Sequence, residues 1–218
     1  MALVAFDFDG TLADSEMLDR IAARAGAGDE VAAITERAMR GELSYAESLR
    51  ERASLVAGLP EADAAEVYDG VRLRDGAGAV ISSLRDAGVT VVVLTGGFGP
   101  GVEAALDAAG VGDDAEVANH LGVADGELSG EVGGPLVEGT KDDALRAACE
   151  EFGVDVAESV AVGDGANDVP MLDAAGYAVG FDPKPGVGEH CDASVASMAA
   201  LADVFAERGL LDGKKSRR

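Results

Sequence analysis

The chain opens on an apolar run, Ala2 to Phe8, that carries one acid near its end and closes as Asp7-Phe-Asp9-Gly-Thr11. A short apolar run bounded by a glycine turn predicts a strand buried on both faces, as in a parallel sheet. No such run occurs between residues 14 and 75. Apolar positions there recur at helical spacing: Met17, Leu18, Ile21 and Ala22; Val31, Ile34, Ala38 and Met39; Leu49, Ala53 and Val56; then Ala62 to Val71. Ser15 and Ser44 are the expected caps, each with a glutamate nearby but off the three-residue spacing of a capping box. Gly58-Leu-Pro60 closes one helix and starts the next.

Strand and helix patterns then alternate. A helix is expected over 78–87, a buried strand over 89–94, a helix over 101–109 and a weak strand over 116–119. Residues 121–137 break the rhythm, with Asp125-Gly126 between two short alternating segments, and predict a β-hairpin. A helix over 141–152, a strand over 159–162, a helix over 169–175, strands over 177–181 and 193–195, and a closing helix over 199–207 complete the pattern. This predicts an α/β fold: a doubly wound parallel sheet, a Rossmann-like core, with a small inserted helical domain and a β-hairpin. The expected units are a core of residues 1–13 and 76–212, the insertion 14–75, and a frayed basic tail 213–218.

Composition narrows the partners. The 17 basic against 41 acidic residues give a net charge of −24. Nucleic acid and anionic membrane surfaces need a basic footprint, so neither is expected as a partner. Only Lys141, Lys184, Lys214 and Lys215 are lysines. An acid-rich, lysine-poor surface suits concentrated salt, where at about 1 M the Debye length of about 3 Å screens self-repulsion. A halophilic protein is therefore expected. Cys149 falls in a helical pattern and reads as a small core residue; two cysteines make no disulfide framework. No run approaches the ~18 apolar residues of a membrane span, and the first strand is too short and acidic for a secretion signal. The expected compartment is the cytoplasm.

The candidate chemistry lies at strand ends and helix starts. A carboxylate at the end of a buried strand is costly without a cation, and open α/β sheets place their sites at the carboxyl ends of strands. Asp7 and Asp9 are carried there by the first strand. Thr95-Gly96-Gly97 follows the second strand, a place where main-chain N–H groups can face an anion. Lys141 begins a helix, where the dipole disfavours a cation, so a counter-charge is expected beside it. Gly163-Asp164-Gly-Ala-Asn167-Asp168 puts two carboxylates and an amide on a strand-to-helix turn. Hard oxygen donors of this kind suit Mg²⁺.

Asp-x-Asp, Thr, Lys and Gly-Asp-x-x-x-Asp, in that order, resemble the four motifs of the haloacid dehalogenase superfamily, over Val4 to about Val195. The insertion narrows the resemblance to its phosphoserine phosphatases, through Asp14-Ser-Glu16, Thr35-Glu-Arg-Ala-Met39 and Gly41-Glu-Leu-Ser-Tyr45-Ala-Glu-Ser-Leu-Arg-Glu-Arg52. The resemblance implies Asp7 as nucleophile and Asp9 as general acid and base. It implies Thr95, Gly96 and Lys141 on the phosphate. Mg²⁺ is expected on the Asp7 side chain, the Asp9 main-chain carbonyl and Asp164, with Asp168 behind it through water. Glu16 would meet the ammonium and Arg52 the carboxylate of L-phosphoserine; Met39, Tyr45 and Asn167 would line the substrate, under a helical cap. A monomer or homodimer in serine biosynthesis is implied. Two departures stand out: Gly10 where the family commonly has serine, and Thr95 where it usually has serine. The alternative is a phosphotransferase or phosphatase of the same superfamily acting on another small phosphomonoester, such as phosphohomoserine.

Overall fold

The structure, a computed structural model, describes residues 2–211; the expected basic tail, 213–218, lies outside them. Seven strands are described: β1 (Leu3–Phe6), β2 (Thr90–Phe98), β3 (Ala115–Ala124), β4 (Glu127–Gly133), β5 (Ser159–Gly163), β6 (Tyr177–Phe181) and β7 (Ala193–Val195). The helices are α1 (Met17–Ala25), α2 (Gly28–Met39), α3 (Tyr45–Ser54), α4 (Glu61–Asp69), α5 (Ala77–Asp86), α6 (Gly99–Ala109), α7 (Lys141–Phe152), α8 (Val169–Ala174) and α9 (Met198–Glu207). The sheet order is β4-β3-β2-β1-β5-β6-β7. All neighbours pair parallel except β3 and β4, which form the hairpin.

Both faces of β1 are buried, as its uninterrupted apolar run requires. Val4 and Phe6 join the cluster that runs through α5, α6, α9 and the insertion; Leu3 and Ala5 join the opposite cluster with Leu145 and Cys149 of α7 and Met171 and Leu172 of α8. The chain winds from β1 through β2 to β3, then crosses back to β5 beside β1. The topological switch therefore lies between β1 and β5, where such sheets hold their ligands.

Two boundaries differ from the sequence pattern. Thr95 to Phe98 is not a turn after β2 but a continuation of it. Its pairing with β3 jumps from Leu94↔Val117 to Phe98↔Asn119, a bulge that takes the Thr-Gly-Gly segment out of the ladder. The expected short strand at 116–119 and the first arm of the hairpin are one element, β3, pairing parallel on one side and antiparallel on the other.

Helices α1–α4 fill residues 17–69, and their ends meet again at the sheet, where Ala13 bridges Leu73 and Arg74 N–H donates to the Leu12 carbonyl at 2.7 Å. The insertion is also tied to the hairpin. Gly58 N–H donates to Leu128 O at 2.8 Å, Leu128 N–H to Leu59 O at 2.8 Å and Glu61 N–H to Gly126 O at 2.9 Å. The caps need correction. Glu16, not Ser15, is the N-cap of α1, and it caps without a side-chain bond. Ser44 caps α3 with Glu47, which is three residues on after all, and both bonds of the capping box are made.

Replacing Ser44 by alanine breaks that reciprocal pair and should cost about 1 kcal/mol. A lowered melting temperature in molar KCl, with unchanged circular dichroism, is the expected result.

Candidate active site

Asp7 follows β1 directly, and its N–H donates to Val162 O of β5 at 2.8 Å. Asp164 follows β5. The register Phe6↔Val162 therefore sets the two acids at adjacent strand ends. Asp168, fully buried, closes the turn after β5: its Oδ2 accepts from the N–H groups of Asp164 (2.9 Å) and Gly165 (2.8 Å). Asp7, Asp164 and Asp168 each place a carboxylate oxygen within 4.8 Å of the others.

The counter-charge expected at Lys141 is present twice. Lys141, 3% exposed at the first position of α7, donates from Nζ to Asp7 Oδ1 and to Asp168 Oδ1, each at 2.5 Å. Burial works against its charge, but the two carboxylates outweigh it and hold the amine charged well above its usual range. One ammonium cannot satisfy every acid. Burial, then the charge of Asp168, raises Asp7 above the carboxylate range despite Lys141. Asp9 is raised too, by burial first and then by Glu16 and Asp7, and its Oδ1 is buried with no partner.

This set fits a hard divalent cation. Both oxygens of Asp168 already accept hydrogen bonds, so its part is to aim the Asp164 main chain and Lys141. Asp7 and Asp164 keep donor capacity toward the space between them. Gly10 suits this corner: its φ is +83°, and a Cβ there would stand 2.3 Å from Asp164 Oδ2. The departure from serine at this position thus has a steric account in this chain.

The bulge in β2 lies against the same corner. Thr95 is fully buried, and its Oγ1 accepts from Gly97 N–H at 2.9 Å. Asn119 Nδ2 of β3 donates to Gly96 O at 3.1 Å. Neither glycine has room for a side chain. A Cβ on Gly97 would lie 2.5 Å from Asp9 Oδ2, and one on Gly96 would lie 1.9 Å from the Tyr45 hydroxyl. Asn167 Nδ2 is 3.8 Å from that same point over Gly96.

The insertion contributes unequally. The Tyr45 hydroxyl donates to Gly96 O at 3.3 Å. Burial pushes this phenol up to about 12, and Lys141, Arg52, Asp7 and Glu16 all act on it, so it sits among the charges of core and insertion. Arg52, half-buried on α3, donates to Ser48 O at 3.4 Å. Glu16, ahead of α1, pairs with Lys184 Nζ at 3.2 Å. Met39 is different: it ends α2 with 71% of its surface exposed and is not packed into the core.

Three neighbours of the site were not among the expected residues. Lys184 reaches Asp164 as well as Glu16. Arg74 donates from Nε to Thr11 O at 3.1 Å and from Nη2 to Gly10 O at 2.9 Å, which pins the loop carrying Asp9. Asn119 holds the bulge. Lysine scarcity could have flagged Lys184 as it flagged Lys141; nothing local marks Arg74 or Asn119.

Strand-end acids around a buried lysine, beside a main-chain bulge and under a helical insertion, define a hydrolase of the haloacid dehalogenase-like family. The chain belongs to that family, whose model matches residues 1–176, and it is an enzyme. Within the family it is similar to the phosphoserine phosphatases. That of Halobacterium salinarum is 75% identical over 210 residues, 96% of this chain and 100% of that protein. Among solved structures, a phospho-aspartyl intermediate analogue of phosphoserine phosphatase is 37% identical with a TM-score of 0.83, covering 89% of this chain and 93% of that one. A substrate-bound phosphoserine phosphatase complex is 34% identical with a TM-score of 0.85, covering 94% and 97%. Among the described residues, no helix is long and apolar enough to cross a membrane.

The raised Asp9 yields a stability prediction. An acid raised on folding stabilises fully below its unfolded value, and that stability is lost as pH rises toward the folded value. In chelator at neutral pH, Asp9→Asn should therefore melt above the unsubstituted protein. The gap should vanish at a pH below the ordinary carboxylate range. Thermal melts across pH measure both.

Proposed function

We propose that the chain hydrolyses O-phospho-L-serine to L-serine and phosphate through an aspartyl-phosphate. The observation that carries this reading is the buried Asp7–Lys141–Asp168 constellation beside Asp164 at the β1/β5 switch. Its likeness to phosphoserine phosphatases over nearly its whole length supports the substrate.

Asp7 attacks phosphorus in line, and the seryl oxygen leaves from the opposite side. Asp9, whose protonated form is favoured by burial, gives that oxygen its proton. The same carboxylate then takes a proton from the water that cleaves the acyl phosphate. Thr95, the Gly96 N–H and Lys141 hold the equatorial oxygens, where the charge of the transition state is spread. Asp7, Asp164 and the Asp9 carbonyl would hold Mg²⁺, which supplies charge neutralisation between carboxylate and phosphate when bound.

Specificity is assigned to the insertion, acting as a cap domain over residues 14–75. Glu16 takes the substrate ammonium and Arg52 its carboxylate; a zwitterion asks for one anion and one planar cation. Tyr45 roofs the phosphate corner and Asn167 its flank, and Met39 reaches the substrate from the end of α2. Closure over the substrate excludes bulk water. The protein works in a cytoplasm of high salt, the setting that its acid-rich surface suits.

Phosphate release from a panel of phosphomonoesters with Mg²⁺ in molar KCl tests the substrate, with O-phospho-L-serine expected to lead. A flat response across the panel would sink that choice. Asp7→Asn should abolish turnover while the circular dichroism remains that of the folded protein, and chelator should abolish turnover reversibly. Full activity in Asp7→Asn would end the mechanism. The salt reading expects the melting temperature to climb from dilute buffer to molar KCl.

A further inference from the structure

Two of the chain's four lysines lie among the described residues, and both are in the acid cluster. Lys141 pairs with Asp7 and Asp168. Lys184 stands outside the four motifs, in the turn Asp182-Pro-Lys184-Pro-Gly186 after β6. That turn is sharply built: Asp182 has φ +44° and Gly186 φ +87°, and Val187 N–H donates to Lys184 O at 3.0 Å. It delivers Lys184 onto Asp164 from both ends. The Lys184 main-chain N–H donates to the Asp164 carbonyl at 2.8 Å, and its Nζ stands 3.0 Å from Asp164 Oδ2. The same Nζ donates to Glu16 Oε1 at 3.2 Å.

Among the described residues, Lys184 is the only cation in ion-pair contact with Asp164 or with Glu16. The remaining close neighbours of the Asp164 carboxylate are acids, Asp7 and Asp168, which repel it. Lys184 is about half exposed, so solvent screens the raw attraction. Its larger effect is geometric: one ammonium joins a carboxylate of the core to a carboxylate at the entrance of the insertion.

We propose that Lys184 is a positioning residue, which holds Asp164 in the orientation that takes Mg²⁺ and Glu16 in the one that takes the substrate ammonium. This rests on Asp164 and Glu16 having the roles proposed above. Partners behind a metal ligand typically set its affinity by about 10–100-fold.

Calorimetric titration of the metal-free full chain with MgCl₂ in molar KCl is the primary test, on the unsubstituted protein, Lys184→Met, Lys184→Gln and Lys184→Arg. Lys184→Met and Lys184→Gln should weaken Mg²⁺ binding by about 10-fold or more, and Lys184→Arg should restore most of it. At saturating Mg²⁺, Lys184→Met should also raise KM for O-phospho-L-serine more than for phosphoglycolate, which has no ammonium group. Equal or tighter Mg²⁺ binding in Lys184→Met, beside normal binding in the unsubstituted protein, would overturn the proposal alone and make Lys184 a bystander or a competitor. No Mg²⁺ binding by the unsubstituted protein would instead bring down the magnesium reading, and the proposal with it. Failure of both neutral variants to fold would show a structural role and overturn the proposal too.

Discussion

Carboxylates that repel one another are held together at the ends of β1 and β5, and most of the surrounding structure answers that constraint. Parallel pairing puts Asp7 and Asp164 at adjacent strand ends. The turn after β5 folds Asp168 back so that it accepts main-chain bonds and leaves one oxygen for Lys141. The first residue of α7 then inserts its ammonium from the opposite side, at the end of a helix where a cation is poorly placed by the dipole. The acids beside it reverse that disadvantage. Removing either charge partner from so buried a group would leave the other uncompensated, a far larger penalty than the intact pair's net worth.

The alternation of strands and helices was legible because a doubly wound sheet leaves long, clean periods in its sequence. β1, β5, β6 and α7 are each a single run with one buried pattern, and their limits fall within a residue or two of the expected ones. What could not be read was set by contacts distant in sequence. Thr95-Gly96-Gly97 looks like a turn locally, yet β3 extends past it and draws Phe98 back into the ladder. β3 looks like two elements because it changes partner halfway, and with it the pairing sense. Arg74 and Asn119 act on main-chain carbonyls more than twenty residues away, and no local period marks such a role. Ser44 is legible as a cap, and Glu47 at the third residue after it completes the box.

The use of the two basic side chains follows their chemistry. Surface ion pairs are made by arginine: Arg24 with Asp63 and Glu66, Arg37 with Glu51, Arg85 with Asp114. A planar, forked guanidinium suits such carboxylate-rich ground. The lysines among the described residues are at the acid cluster, where a compact ammonium can touch two carboxylates from one atom. Composition and site design thus meet in the same choice: among the described residues, both lysines stand where one point charge meets two carboxylates.

The main-chain bonds between the hairpin and the α3–α4 connection carry a mechanical consequence. β3 reaches from the Thr95-Gly96-Gly97 bulge, where Asn119 donates to the Gly96 carbonyl, out to the hairpin tip that is bonded to residues 58–61. One strand, with an irregular register between Leu121 and Val123, therefore links the bulge to the insertion. Any movement of the insertion relative to the core must break these bonds or carry the hairpin with it, a restraint that its two covalent stems alone would not impose.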